Sequence, residues 1–338
     1  MRLTSFQRLA LWTTATTYFL ILVGGLVRAS GAGLGCPDWP RCFGSWIPPA
    51  SAANLPPQFD PSQFNPTLMW TEYLNRLLGV TVGFLILATA IAAWRHHRHH
   101  PRILWSTIAA FLLVGFEGWL GGLVVAHELA AWIVTAHLIV AIVIVQLLLY
   151  VTFIAGEAGE AGEAGEAGEA GEAGEAGRTV AAGKAGPTVA ISALIALTLI
   201  QAGVGTQVRG AVDEALDSGV ARELAVGTVG RLDFVHRDLA FVVLMAATVL
   251  TLWLLSRRSP LVRWSVIVLT LATAQIGLGL VMTYGSLLQA AQVGHLTVAC
   301  LLLGAETVLW LMSRRAVQGP VEADRIRATH PSGAYPLK

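Results

Sequence analysis

Apolar residues in this chain fall in long unbroken runs, without the alternation that marks half-buried strands or soluble amphipathic helices. Eight runs stand out, at about 10–28, 73–93, 104–125, 132–154, 188–207, 236–256, 264–283 and 289–312. A helix needs roughly 20 apolar residues to cross about 30 Å of hydrocarbon, so each run predicts one membrane span. The first is too long for a removable signal peptide and reads as a true span. The expected fold class is an all-α integral membrane protein with eight transmembrane helices.

Composition points the same way: 55% of residues are hydrophobic and 13% charged, against about 25% charged in soluble domains. With the N-terminus inside, the inner segments carry fifteen Lys and Arg and the outer ones seven. That asymmetry predicts both termini in the cytoplasm of a multi-pass protein in the cell (plasma or inner) membrane. A net charge of +1 gives no reason to expect nucleic acid as a partner; the lipid bilayer is the expected one.

Between the fourth and fifth spans runs "AGEAGEAGEAGEAGEAGEAGEAGR", whose Gly and Glu spacing predicts a solvated linker with no core. It divides the chain into residues 1–154, a linker at 155–186, residues 187–315 and a cytoplasmic tail at 316–338. The two halves resemble each other. "EYLNRLLGVTVGF" from Glu72 aligns with "DFVHRDLAFVVL" from Asp233, and "TAHLIVA" around His137 with "VGHLTVA" around His295. "GGLVRASGAG" at Arg28 aligns with "GTQVRGAVDE" at Arg209, and "FEGWLGGLVV" at Glu117 with "AQIGLGLVM" at Gln275. Four spans per unit predict two pseudo-symmetric four-helix bundles in parallel topology.

Ionisable residues inside spans are costly and mark function by default. Every one recognised here falls in the outer half: Arg28 and Arg209 at helix ends, Glu72 and Arg76 with their counterparts Asp233 and Arg237, and Glu117, His137 and His295 about two turns below the surface. In the second half, His236 and His295 pair with Arg209 and Arg237. Two imidazoles from two helices suit axial ligation of a haem iron, and guanidinium groups suit its propionates. The bland alternative is hydrogen bonding between helices; the pairing with arginine in both repeats favours haem. The first half keeps His137 but has Asn75 where the second has His236, and an amide is a poor iron ligand. It also carries Glu72 and Glu117 where the second half has Asp233 and neutral Gln275. One half therefore reads as a cofactor site and the other as a working site. The histidines of "RHHRHH" from Arg95 read as basic flanking of a cytoplasmic loop, His127 and His330 have no evident partner, and Cys300 reads as packing. Cys36 and Cys42, in "GCPDWPRC", fall in the first outer loop, where an oxidising exterior permits a disulfide.

These motifs, in this order over residues 5–315, resemble the haem A synthases. The resemblance implies two four-helix bundles, with a haem b held in the C-terminal one by the residues matching His236 and His295. It implies a haem O site in the N-terminal one, with a carboxylate matching Glu72 and a histidine matching His137, and a loop disulfide matching Cys36 and Cys42. The implied reaction oxidises the C8 methyl of haem O to a formyl group by way of an alcohol. Asn75 departs from the usual second histidine of that half. On this reading Arg28 and Arg76 lie near the substrate propionates, and Glu72 accepts a proton or stabilises positive charge. Glu117 either donates a hydrogen bond or acts as a second carboxylate. Expected partners are haem O, a haem O synthase supplying it, and an electron acceptor; a homo-oligomer is compatible. The alternative is a membrane haem b electron-transfer protein of other function. A quinol-oxidising di-haem protein would need bis-histidine sites in both halves, and a transporter would need broken helices near the midplane.

Overall fold

The computed structural model describes residues 3–168, 186–285 and 287–329. The described residues are helical apart from their connections: α1 (Ser5–Ala29), α2 (Pro66–His96), α3 (Pro101–Ala126), α4 (Ala131–Gly168), α5 (Gly186–Asp217), the single turn α6 (Ala225–Thr228), α7 (Arg231–Ser256), α8 (Val262–Tyr284) and α9 (Gln289–Thr329). Eight of these are long and apolar enough to cross a membrane. Only helices satisfy their own backbone in hydrocarbon without closing a barrel, and the sequence starts them with recognisable chemistry. Thr4 and Gln7 form a capping box on α1. Asn65 accepts from the backbone of Thr67 and Leu68, with Pro66 opening α2, and Pro101 opens α3.

Two helices run beyond their spans. α4 continues to Gly168, into the segment read as a flexible linker, and α9 continues to Thr329, into the segment read as a tail. Ala and Glu are strong helix formers and a helix already under way needs no new nucleus, so regular Gly does not stop α4 at the bilayer. The rest of the linker, at 169–185, and His330 lie outside the described residues.

α1, α4, α5 and α9 form an inner group, in which α1 packs on α4 and α9, and α5 on α4 and α9. α2 and α3 flank one side of it and α7 and α8 the other. The neighbour relations of α1–α4 recur in α5 and α7–α9. Ile191, Leu194, Val243, Leu254, Val268 and Leu309 lead one buried cluster, and Val82, Ile86, Ala110, Ile144 and Leu148 another. Threonines inside spans return their hydroxyls to carbonyls four residues back, as Thr14 does to Ala10 and Thr17 to Thr13. Thr13 and Thr89 also bond across α1 and α2 at 3.0 Å.

The expectation that every ionisable group in the spans lies in the outer half is corrected by Glu306. This residue is fully buried on α9, eleven residues inward of His295, and accepts from Thr198 Oγ1 at 2.9 Å. At about 1.5 Å per residue it sits roughly 16 Å deeper than His295. Its place in an apolar run hid it from a reading that looked for clusters.

The seam between the halves is close at Gly304, where an added Cβ would overlap the Tyr18 hydroxyl. Gly304→Ala is expected to lower stability by about 1–3 kcal/mol through overpacking. Tyr18→Phe in the same chain should recover most of that loss, read as the thermal denaturation midpoint in detergent.

Candidate functional site

The polar residues singled out above lie at the end of the bundles that carries the 30–65 loop, and the structure pairs most of them. In the second half the rings of His236 (α7) and His295 (α9) face one another with centroids 6.3 Å apart and planes inclined at 59°. Metal–imidazole bonds are about 2 Å long, so this separation leaves room for one metal ion between the rings. Both Nδ1 atoms are buried with no hydrogen-bond partner. Each ring lies against a glycine: a Cβ on Gly205 would crowd His236 at 2.9 Å from Cε1, whereas one on Gly279 would sit in ordinary contact, 3.6 Å from His295 Cε1. Gln201 Nε2 fixes the turn of α7 by donating to the His236 carbonyl at 2.8 Å.

The first half repeats the glycines but not the ligands. Gly24, equivalent to Gly205, faces Asn75, whose Oδ1 is buried and unpartnered. Gly121, equivalent to Gly279, faces His137 with the same 3.6 Å to Cε1. His137 Nδ1 lies 3.2 Å from Glu117 Oε1. The contact lacks hydrogen-bond alignment, so that nitrogen and both Glu117 oxygens count as unpartnered; the proximity is sound, the bond is not. At the equivalent place Gln275 Oε1 is also buried without a partner. Buried polar atoms seldom go unpaired, and here most of the unpaired ones gather around the two sites, with Gln146 Oε1 and Glu306 Oε2 lying deeper in the spans. That gathering suits a polar, metal-bearing ligand with groups of its own to offer.

The arginines divide by what they hold. Arg237 pairs with Asp233 at 2.6 Å one turn back and keeps 41% of its side chain exposed. The sequence places Arg76 near propionates, yet its guanidinium is committed to protein. Nε donates to Glu72 Oε1 at 2.9 Å, Nη1 to the carbonyls of Asp38 at 2.7 Å and Arg41 at 2.8 Å, and Nη2 to that of Cys36 at 3.2 Å. Of its five N–H groups, one remains. Arg76 thus latches the first outer loop over the bundle while neutralising Glu72, which is 6% exposed. The loop is built for this. Cys36 and Cys42 form a disulfide and are fully buried, and Phe43 packs edge-on against Phe59 and Phe64. Gly35 lies so close to the Leu68 carbonyl that any Cβ would overlap it.

Arg28 and Arg209 meet a residue the sequence reading missed. Asp213 takes Arg28 Nη2 at 2.5 Å and Arg209 Nη2 at 2.7 Å, on its two oxygens. Gln292 Oε1 takes Arg209 Nη1 at 2.5 Å. Asp213 sits in "GAVDEALD", at the end of α5, where an acid reads as ordinary helix-end polarity. The four glycines were legible: they occupy matching places in the aligned segments around Arg28, Arg209, Glu117 and Gln275. Of the other histidines, His127 Nδ1 bonds the Leu123 carbonyl and His97 packs at a tilt of 56° against Phe6. Among the described residues no group of three or more His, Cys, Asp or Glu could hold a metal ion by itself.

Eight spans, with two imidazoles opposed in one half and an imidazole beside a carboxylate in the other, define a multi-span helical membrane protein with a paired polar site in each half. The family profile described as "Cytochrome oxidase assembly protein" (COX15-CtaA) matches residues 7–307, and the chain belongs to that family. It is 35% identical over 124 residues to the heme A synthase of Geobacillus kaustophilus, covering 37% of this chain and 34% of that protein. It is 31% identical over 143 residues to the heme A synthase of Shewanella oneidensis, covering 40% and 42%. A similar match, 30% over 132 residues and 39% of each chain, joins it to that of Shouchella clausii. In each case the chain spans less than half the length of the relative it matches.

Arg76→Ala would leave Glu72 buried without its cation and free three loop carbonyls. Breaking one partner from a buried pair costs about 3–5 kcal/mol, so a lowered denaturation midpoint in detergent is expected. Arg237→Ala, at the exposed equivalent pair, should cost about 1 kcal/mol or less.

Proposed function

We propose that this chain is a haem A synthase, oxidising the C8 methyl of haem O to a formyl group, with haem b as its resident cofactor. The observation that carries the reading is the asymmetry at equivalent positions. His236 and His295 oppose one another at 6.3 Å in the C-terminal half, whereas the N-terminal half has Asn75 and a Glu117–His137 contact. Bound haem supplies the redox chemistry, which side chains alone lack. On this reading residues 1–154 form the substrate bundle and residues 187–315 the haem b bundle, in the plasma or inner membrane.

The roles follow from what each side chain has free. His236 and His295 are the residues that would hold haem b. Arg209, with Nε buried and unpartnered, and the exposed Arg237 take its propionates. In the other half His137 ligates the substrate iron, and Asn75 offers an amide on the far side in place of a second imidazole. Such weaker ligation suits a ligand that must leave after reaction. Arg28 keeps a buried Nη1 without a protein partner, which suits a substrate carboxylate. Glu72 receives the proton or steadies positive charge at the oxidised carbon; Arg76 fixes its Oε1, and among the described residues Oε2 has no protein partner. Arg76 acts chiefly by holding Glu72 and the loop, with one N–H left for a propionate. Glu117 orients His137 or accepts a proton beside it. With water as the source of the formyl oxygen, oxidation of the methyl releases four electrons and four protons, so the reading requires an electron acceptor, and a haem O synthase must supply the substrate.

Co-expression with a haem O synthase, followed by chromatography of extracted haems, is expected to give haem A. Haem O accumulating with neither haem A nor the alcohol would sink the proposal. Glu72→Gln should cut haem A yield by about a hundredfold or more, the usual contribution of a positioned proton acceptor. His236→Ala and His295→Ala should each abolish the low-spin haem spectrum of the purified protein; an intact spectrum in both would remove the ligand assignment.

A further inference from the structure

The chemistry just proposed gives no part to Asp213, yet this acid touches both halves. It lies on α5 one turn beyond Arg209 and bonds Arg209 through one oxygen and Arg28, from α1, through the other. The repeat-equivalent position in the first half is Ala32, which is fully buried. A single carboxylate therefore serves two equivalent arginines. Each arginine stands four residues, about one helical turn, beyond the glycine that faces the decisive side chain of its half: Gly24 before Asn75, and Gly205 before His236. The bridge consequently spans the two sites at one level, just outward of both. Each arginine also keeps a buried donor without a protein partner, Arg28 Nη1 and Arg209 Nε.

We propose that Asp213 is a positioning residue that couples the two sites electrostatically, so that the charge present at Arg28 sets the redox poise of the haem held by His236 and His295. This rests on the haem b assignment made above. The physical ground is that the three charges form one half-buried chain, where screening by water and salt is weak. An anionic group arriving at Arg28, such as a carboxylate of a bound substrate, competes with Asp213. The acid then bears on Arg209 alone, and the field at the C-terminal site becomes more negative. More negative surroundings disfavour the reduced haem. Substrate occupancy in one half thereby favours passage of electrons onward from the other.

Potentiometric titration of the low-spin haem in the purified full-length protein tests this. Asp213→Asn removes a negative charge and is expected to raise the reduced-to-oxidised ratio at a given potential about tenfold, which is about 59 mV for one electron. Asp213→Glu, which keeps the charge, should titrate close to the wild type and controls for damage to the fold. Arg28→Gln should shift the equilibrium the opposite way, although Arg28 belongs to the other half. That shift should fall by at least half in the Asp213→Asn background. An unmoved potential in Asp213→Asn, a Glu variant that tracks the Asn variant, or an Arg28→Gln shift of equal size in both backgrounds overturns the coupling and leaves the haem assignment standing. A wild-type protein with no low-spin haem overturns that assignment, and the coupling with it.

Discussion

Hydrocarbon offers a polar group no water, so each one carried into the bilayer must find a partner in the protein or in a ligand. The rest of this structure depends on how that constraint is met. Backbones meet it by running as helices, and threonines by turning their hydroxyls back on the preceding turn. Thr198 meets it for one oxygen of Glu306, deeper in the spans, while Glu306 Oε2 stays buried without a partner. Around the two outer sites it is left unmet: His236, His295, His137, Glu117, Asn75 and Gln275 all carry buried atoms without hydrogen bonds. Unmet atoms are densest at these two sites, with Gln146 Oε1 and Glu306 Oε2 the exceptions deeper in the spans.

The two halves use one plan for different ends. Glycines at matching places in the aligned segments face Asn75 and His137 in one half and His236 and His295 in the other, and at Gly205 a Cβ would crowd the ring it faces. The acid–arginine pair at the head of the second helix of each half has diverged too. Arg237 stays exposed beside Asp233, whereas Arg76 gathers Glu72 and three loop carbonyls into one buried knot. On the proposed reading, the half with the fastened loop is the one for turnover and the half with two opposed imidazoles the one for retention.

Much of this was legible in the sequence because it is periodic or local. Long apolar runs marked the spans, and the internal repeat put Asn75 opposite His236 before any coordinates did. The pairing of Cys36 with Cys42 followed from the family resemblance, and the structure has it. What stayed hidden depends on distance in the chain. Asp213 and Arg28 are far apart in sequence, and no local pattern announces their contact. Glu306 is a lone acid in an otherwise apolar stretch, visible only once its burial is known. The commitment of Arg76 to carbonyls of the preceding loop needed the loop's path, which disulfide and aromatic packing decide together. Continuation of α4 past the bilayer was missed because regular Gly suggested a coil, while Ala and Glu on a running helix prevailed.

The loop that Arg76 fastens also orders events in time. Its carbonyls from Cys36, Asp38 and Arg41 lie within or at the edge of the ring closed by Cys36 and Cys42. Such a ring forms only where thiols are oxidised. A newly inserted chain can thus have its spans in place while the ring is still open and the carbonyls are not yet presented together. Assembly of the loop over the N-terminal half therefore includes a covalent step, which the C-terminal half, with Cys300 as its one cysteine, does not share.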